Sequence, residues 1–136
     1  MIDNADGGAI YYTLFRAYAT QFNWGYRDRY PEAGIVQQSF LFTLFLLCSF
    51  GQTLRPQSFY EDKFLTAFPM VVELFSEETY RTADACARQC YSLRALERFA
   101  ALFGLLELTP EGEGSSWSRY SVRKSALLDR LVTFSL

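Results

Sequence analysis

Histidine is absent from this 136-residue chain, and its absence excludes several kinds of enzyme. Without imidazole there is no Ser-His or Cys-His nucleophile pair, no general base with an ordinary pKa near neutrality and no imidazole metal ligand. The acid–base groups that remain are carboxylates, which the sequence does not place together. We therefore expect a protein that is not an enzyme, with no catalytic residue and no cofactor.

Cysteine and long apolar runs are also scarce. The three cysteines form an odd number, and the acidic first eight residues lack the apolar stretch of a secretory signal, which predicts a reduced, cytoplasmic protein. Cys86 and Cys90 share a helix face, but the chain offers no full set of four zinc ligands, so we expect small core residues and no metal. The longest apolar run, 40–50, is about half the length of a membrane span, so no membrane contact is predicted.

Charge is low and unevenly distributed. The chain has 13 Lys and Arg against 15 Asp and Glu, for a net charge of −2, so the molecule as a whole does not attract nucleic acid. Residues 1–80 carry 5 basic and 9 acidic side chains, whereas residues 81–136 carry 8 and 6. Any contact with DNA must therefore be local and C-terminal. Because half of the residues are apolar, we expect an ordered, single domain over 1–136.

The first half of the chain shows helical periodicity. Apolar spacing predicts a helix over 9–22 and a second over 35–50, which Gly51 ends. We expect residues 1–34 to form an aromatic N-terminal helix and its connection, and residues 35–136 to form the core.

A third helix is predicted over 59–68. Ser58 and Glu61 have the spacing of a capping box at its start. Pro69 either starts a new turn or kinks the same helix, and the pattern leaves both alternatives open.

The last third combines helices with alternating segments. Ser92 is expected to cap a new helix, and Gly104 to end it. After Gly104 the period changes from 3.6 to 2, which is typical of a two-stranded hairpin. In chain order, the pattern predicts helices over 82–90 and 92–103, strands over 105–109 and 117–123, and a helix over 124–134.

This order over residues 76–136 resembles a winged helix-turn-helix. The resemblance implies a supporting helix at 82–90, a recognition helix at 92–103 and a wing whose tip is 111–118. The expected fold class is mainly α (α+β), a helical domain with a C-terminal winged helix-turn-helix and a two-stranded wing. The alternative is an ordinary α+β domain with a C-terminal hairpin.

The basic side chains of this region are the candidate contacts with double-stranded DNA. Arg94 and Arg98 lie opposite the apolar stripe, so both are expected to point away from the core, and their replacement by Ala should change stability little. The alternative is an ordinary solvated face, because a net charge of +2 over these 56 residues is unremarkable. Glu97 and the acidic wing tip would also repel phosphate. The candidate DNA-binding residues are Arg88, Ser92, Arg94, Arg98, Arg119, Arg123 and Lys124.

Aromatic residues are concentrated in the N-terminal part. They suit either a large core or an interface with a second copy or a protein partner. The sequence thus predicts a DNA-binding regulator acting as a homodimer on two half-sites. The alternative is an interaction or dimerisation module that uses the same scaffold without binding DNA. The candidate interface residues are Tyr11, Phe15, Tyr18, Phe22 and Trp24.

Overall fold

The computed structural model describes residues 4–26, 28, 30, 34–77, 81–111 and 119–132. They form a mainly helical structure with a small antiparallel sheet, which confirms the α+β class. The elements are α1 (Asn4–Thr20), α2 (Gly34–Gln38), α3 (Phe40–Phe50), β1 (Arg55–Pro56), α4 (Gln57–Ala67), a 3₁₀ helix (Pro69–Leu74), α5 (Ala83–Tyr91), a π-helix (Ser92–Ala100), β2 (Leu106–Pro110), β3 (Tyr120–Lys124) and α6 (Ala126–Leu131).

The N-terminal helices largely follow the periodicity. The first begins five residues earlier than predicted, and the second is interrupted at Ser39, whose hydroxyl donates to the carbonyl oxygen of Ile35 at 2.6 Å. Gly51 ends α3 as predicted, and its N–H donates to the carbonyl oxygen of Leu47. A Cβ at Gly51 would lie 2.8 Å from the Cβ of Lys124, so glycine lets the end of β3 approach α3 closely.

The third predicted helix is present as α4, but the predicted capping box is wrong. Pro56 precedes the helix, and no side chain caps it. Glu61 is buried and accepts a hydrogen bond from the Ser92 hydroxyl instead. Pro69 starts a separate 3₁₀ helix, which decides between the two alternatives for this residue.

The turn expected before Ser92 is absent, so this prediction was wrong. Tyr91 and Ser92 both have helical backbone angles, and α5 continues directly into the π-helix. The N–H of Ala101 then bonds to the carbonyl oxygen of Leu96, five residues back, at 2.9 Å. The two short helices of the prediction are therefore one longer helix, which Gly104 ends with φ +71° as expected.

The C-terminal hairpin is confirmed and belongs to a three-stranded sheet. Strands β2 and β3 pair antiparallel, and β1, which the sequence analysis missed, pairs with the other side of β3 through Arg55 opposite Val122. The predicted wing tip falls mostly on 112–118, outside the described residues, as do positions 133–134 of the predicted last helix. Ser125 caps α6 by accepting from the N–H of Leu128.

One buried cluster joins the N-terminal segment to the rest. It contains Trp24 and Val36 as well as Phe64, Phe99 and Val122. Trp24 of the N-terminal segment thus belongs to the same core as the sheet.

Candidate interaction surface

The π-helix is enclosed by the N-terminal segment. Phe99 is fully buried, and the ring of Trp24 stacks on it with centroids 4.7 Å apart. Phe15 packs against the same ring at 5.4 Å, and the Tyr11 hydroxyl donates to the carbonyl oxygen of Phe103 at 2.6 Å. The helix that the resemblance assigns to DNA reading is therefore covered by α1 and the residues after it.

Arg94 points into the protein, which corrects the prediction that it faces solvent. It is 4% exposed, and its Nε and a terminal nitrogen donate to the Asp28 carboxylate at 2.6 and 3.0 Å. Burial raises the pKa of Asp28, but the hydrogen bond from Arg94, the Tyr30 N–H and nearby positive charge outweigh it and hold the pKa below the ordinary 3.8. The ion pair fixes the 24–30 connection against the π-helix.

Two further candidate DNA contacts are also engaged within the chain. Arg98 donates to the carbonyl oxygens of Trp24 and Tyr26 at 3.0 and 2.9 Å. Ser92 is buried and donates to Glu61. These contacts position the N-terminal connection and α4 against the π-helix.

The other four candidates lie beside acidic residues or on the sheet. Arg119 donates to the same Glu61 carboxylate at 3.1 Å. Lys124 pairs with Asp129 at 2.7 Å, and Arg123 lies exposed on β3. Arg88 bridges two carboxylates, those of Asp62 and Asp84. Six of the seven candidates thus have an intramolecular partner.

The five candidate interface residues mostly belong to the core. Trp24 is 1% exposed and is not available to a partner, so its assignment to an interface was wrong. Tyr11, Phe15 and Tyr18 are half-buried against the turn that follows the π-helix. Phe22 is exposed, although its ring stacks on Tyr18 at 4.8 Å. The alternative of a large aromatic core describes most of these residues better.

Helices α1 and α3 also carry exposed apolar side chains. On α1, Ile10, Tyr12 and Leu14 are 52%, 54% and 59% exposed. On α3, Leu41 and Phe45 are 57% and 38% exposed, one helical turn apart. We call the groove that Tyr12 and Leu41 line, together with these two side chains, the α1–α3 face. Ile10 and Leu14 lie on another side of α1. Sequence reasoning recognised Tyr11 and Phe15, which line the groove, but missed the wall on α3, because no local pattern relates the two helices.

The groove of the α1–α3 face has a volume of about 410 Å³. One wall comes from α1, the other from the start of α3, and one end from α6. Tyr12 and Leu41 stand at its opposite rims and are both exposed, so the groove opens to solvent between two apolar side chains. It is lined by Tyr11, Tyr12, Phe15, Arg16, Ala19, Thr20, Phe40, Leu41, Leu44, Leu131 and Val132.

The α1–α3 face is also nearly free of charge. Arg16 is the sole charged residue in the sequence from 8 to 26, and 34–54 has none. Soluble proteins carry about a quarter of their residues as charged side chains, mostly on the surface. Depletion of charge around exposed apolar side chains is the compositional mark of a protein interface.

No protein-family model matches this chain, and neither do the curated proteins or the solved structures with which it was compared.

A second cavity, of about 740 Å³, lies between the end of α1, α2 and Arg94. Its polar groups already bond within the fold, since Gln37 donates to the carbonyl oxygens of Ala19 and Phe22 at 3.2 and 2.6 Å and Arg94 pairs with Asp28.

Cys86 and Cys90 are buried in the core, and burial raises the pKa of Cys90 to about 12, so its thiol stays protonated.

Two other types of site are absent from the described part of the chain. It contains no group of three Cys, Asp or Glu side chains placed to hold a metal ion. None of its helices has the length and hydropathy needed to cross a membrane.

Proposed function

We propose that this chain is a protein-interaction module on a winged-helix-like scaffold, and that the α1–α3 face is its binding surface. The observation that carries the proposal is the exposure of the large apolar side chains of Tyr12 and Leu41 on a groove whose lining contains one charged residue, Arg16. Exposed apolar area of this kind on a soluble domain usually marks a binding site.

The scaffold part of the proposal rests on the order of the elements. Helices α3 and α4 flank β1, the long helix formed by α5 and the π-helix follows, and the hairpin of β2 and β3 closes the sheet in the order β1-β3-β2. Three helices followed by a hairpin suit the winged-helix plan. In this assignment α4 is the supporting helix, and the wing lies between β2 and β3.

The position of the N-terminal segment favours protein binding over DNA binding. To meet phosphate, Arg94 and Arg98 would have to leave Asp28 and the carbonyl groups that they contact, and Trp24 would have to leave Phe99. The α1–α3 face needs no such rearrangement, because its side chains are already exposed.

The proposal is tested by photocrosslinking in the cells from which the protein comes. A benzophenone amino acid is incorporated at Leu41, and in a matched control at Leu74 of the 3₁₀ helix, which is 47% exposed. We expect a discrete covalent protein adduct from position 41 and none from position 74. Absence of any protein adduct at 41, or equal labelling at both positions, would refute the interaction surface.

A parallel titration decides the DNA alternative. Fluorescence anisotropy with a random duplex at about 50 mM salt, where the phosphate contribution is strongest, should show no binding. Saturable binding that weakens steeply with salt would instead support the regulator predicted from the sequence.

A further inference from the structure

We infer that the outer edge of strand β2 is a second binding site, which takes an extended segment of another protein as an added strand of the sheet. The site is separate from the α1–α3 face, so the inference goes beyond the proposed function and does not depend on it. It follows from the direction of the backbone hydrogen bonds along β2 and from the charge beside them.

The first argument is which residues of β2 already bond to β3. The Glu111 N–H donates to the carbonyl oxygen of Arg119 at 2.9 Å. Every second residue of an antiparallel strand bonds to the same neighbour, so the odd-numbered residues of 105–111 face β3. The N–H and C=O groups of Leu108 and the C=O group of Pro110 therefore point away from the sheet.

The second argument is that the chain closes the opposite side of the sheet and leaves this one open. Beside β1, the Lys124 N–H donates to the carbonyl oxygen of Gly51 at 2.9 Å. The Tyr120 N–H donates to the side-chain oxygen of Gln57 at 3.2 Å. No described residue bonds to the outward groups of Leu108. An unpaired N–H and C=O on one strand residue form the template on which an extended backbone adds.

The open part of this edge is short. Leu106 is 5% exposed, whereas Glu107, Thr109 and Pro110 are exposed and Leu108 is half-buried. An added strand would form three hydrogen bonds here, two with Leu108 and one with the C=O of Pro110. Pro110 offers no N–H, but at its outward position the ring removes no bond to β3. We therefore expect weak binding.

Charge identifies the kind of segment that fits. Glu107 is exposed and lies opposite Arg123 of β3, and an added strand would lie on its other side. Opposite charges on adjacent strands attract, so a Lys or Arg of the partner is favoured beside Glu107. The next residue of the partner would lie beside half-buried Leu108, where an apolar side chain is favoured. The occupant is therefore an extended segment in which basic and apolar residues alternate.

A second copy of this chain fits the edge less well. Two β2 strands paired about Leu108 would set Pro110 of each copy against the nearly buried Leu106 of the other. Glu107 would then face Thr109 and gain no cation.

The test is NMR of the full chain with a short peptide of alternating lysine and valine. In the free chain, the amide hydrogen of Leu108 should exchange with solvent at least about tenfold faster than those of Glu107 and Thr109, which bond to β3. The peptide should bind with a dissociation constant on the order of 1 mM. At about five times that concentration, it should slow exchange at Leu108 about sixfold. A peptide of alternating glutamate and valine is the matched control and should bind more weakly.

Two variants assign the binding to this edge. Leu108→Pro removes the outward N–H but none of the bonds between β2 and β3, and it should abolish binding of the lysine peptide. Unchanged amide shifts in β3 establish that the hairpin of this variant is intact. Glu107→Lys reverses the charge beside the added strand and should shift the preference towards the glutamate peptide by at least about threefold. This second variant decides the question if Leu108→Pro does not fold.

Three results would overturn the inference. One is a free chain in which the Leu108 amide exchanges as slowly as its neighbours. Another is the absence of saturable peptide binding up to about 5 mM, or binding that leaves exchange at Leu108 unchanged. The third is a preference for the lysine peptide that persists in Glu107→Lys. Crosslinking from position 41 reports on the α1–α3 face alone, so the two proposals fail or hold separately.

Discussion

Replacing Arg94 by Ala tests the packing of the N-terminal segment most directly. The substitution removes the guanidinium that lies 2.6 Å from the Asp28 carboxylate and leaves that carboxylate buried without its main partner. It also removes the side chain that packs on Gly25, where a Cβ would meet the guanidinium at 2.7 Å. If Arg94 faced solvent, as its spacing predicts, the loss would be at most about 0.5 kcal/mol.

The magnitude follows from the burial of both partners. Breaking a buried ion pair by removing one member costs about 3 to 5 kcal/mol, because the remaining charge is desolvated. With a urea m-value of about 2 kcal/mol/M, the midpoint of unfolding should fall by roughly 1.5 M or more. A domain whose total stability is about 5 to 15 kcal/mol is weakened substantially by such a loss.

Urea unfolding followed by circular dichroism measures the effect, and two further variants serve as comparisons for Arg94→Ala. Arg123→Ala removes an exposed arginine and should change stability by no more than about 0.5 kcal/mol. Adding Asp28→Asn to Arg94→Ala removes the unpaired carboxylate charge but keeps an oxygen that accepts from the N–H of Tyr30. The double variant should therefore be more stable than Arg94→Ala alone. If Arg94→Ala matches Arg123→Ala, the reasoning from burial is refuted.

Three further predictions concern single residues. Because the folded pKa of Asp28 lies below 3.8, its ion pair stabilises the protein above about pH 4 and this contribution is lost at lower pH. Asp28→Asn should therefore make the free energy of unfolding depend less on pH between about pH 2 and 5. An unchanged pH dependence of urea unfolding in that range would contradict this. Thr82→Ala removes the oxygen that accepts from the N–H of Ala85 and should lower the free energy of unfolding by about 1 kcal/mol, whereas Thr82→Ser should retain most of it. Gly51→Ala places a Cβ 2.4 Å from the carbonyl oxygen of Leu47 and should cost about 1 to 3 kcal/mol in thermal or urea unfolding; a neutral effect would mean that α3 and β3 are farther apart than described.

The elements with strong local signals could be predicted from the sequence. Alternating residues after Gly104 indicated the hairpin, and apolar spacing indicated α4 to within two residues and α1 with a start five residues too late. The strand β1 could not be found in this way, because Arg55 and Pro56 are too few to show alternation and pair only through the distant β3.

The orientation of Arg94 could not be predicted, because it depends on the helix type. In an α-helix, residues three or four apart share a face, so Arg94 was placed opposite Leu96 and Phe99. In the π-helix the backbone hydrogen bonds span five residues, as the bond from Ala101 to Leu96 shows, and this wider turn brings Arg94 closer to the side of Phe99 than an α-helix would. Trp24 covers Phe99 while Asp28 pairs with Arg94, so one connection covers this whole side of the helix.

The candidate surface was only partly accessible to sequence reasoning. A stripe of aromatic residues on α1 was recognised, but a stripe can face either the core or a partner, and only tertiary packing decides which. Tyr12 and Leu41 belong to different helices, and no local pattern relates them before the chain folds.

Helix α1 is far along the chain from the residues that bury its aromatic side, and this separation matters during synthesis. Tyr11 bonds to the backbone of Phe103, which is 92 residues later in the sequence. At about 5 to 20 residues per second, α1 would leave the ribosome roughly 5 to 20 s before the segment that buries its aromatic side. For that interval the aromatic side of α1 is exposed to the cytosol of a producing cell. Overexpression should therefore depend on chaperone capacity and translation rate, and slower synthesis at low temperature should raise the soluble fraction by reducing the number of nascent chains waiting at once.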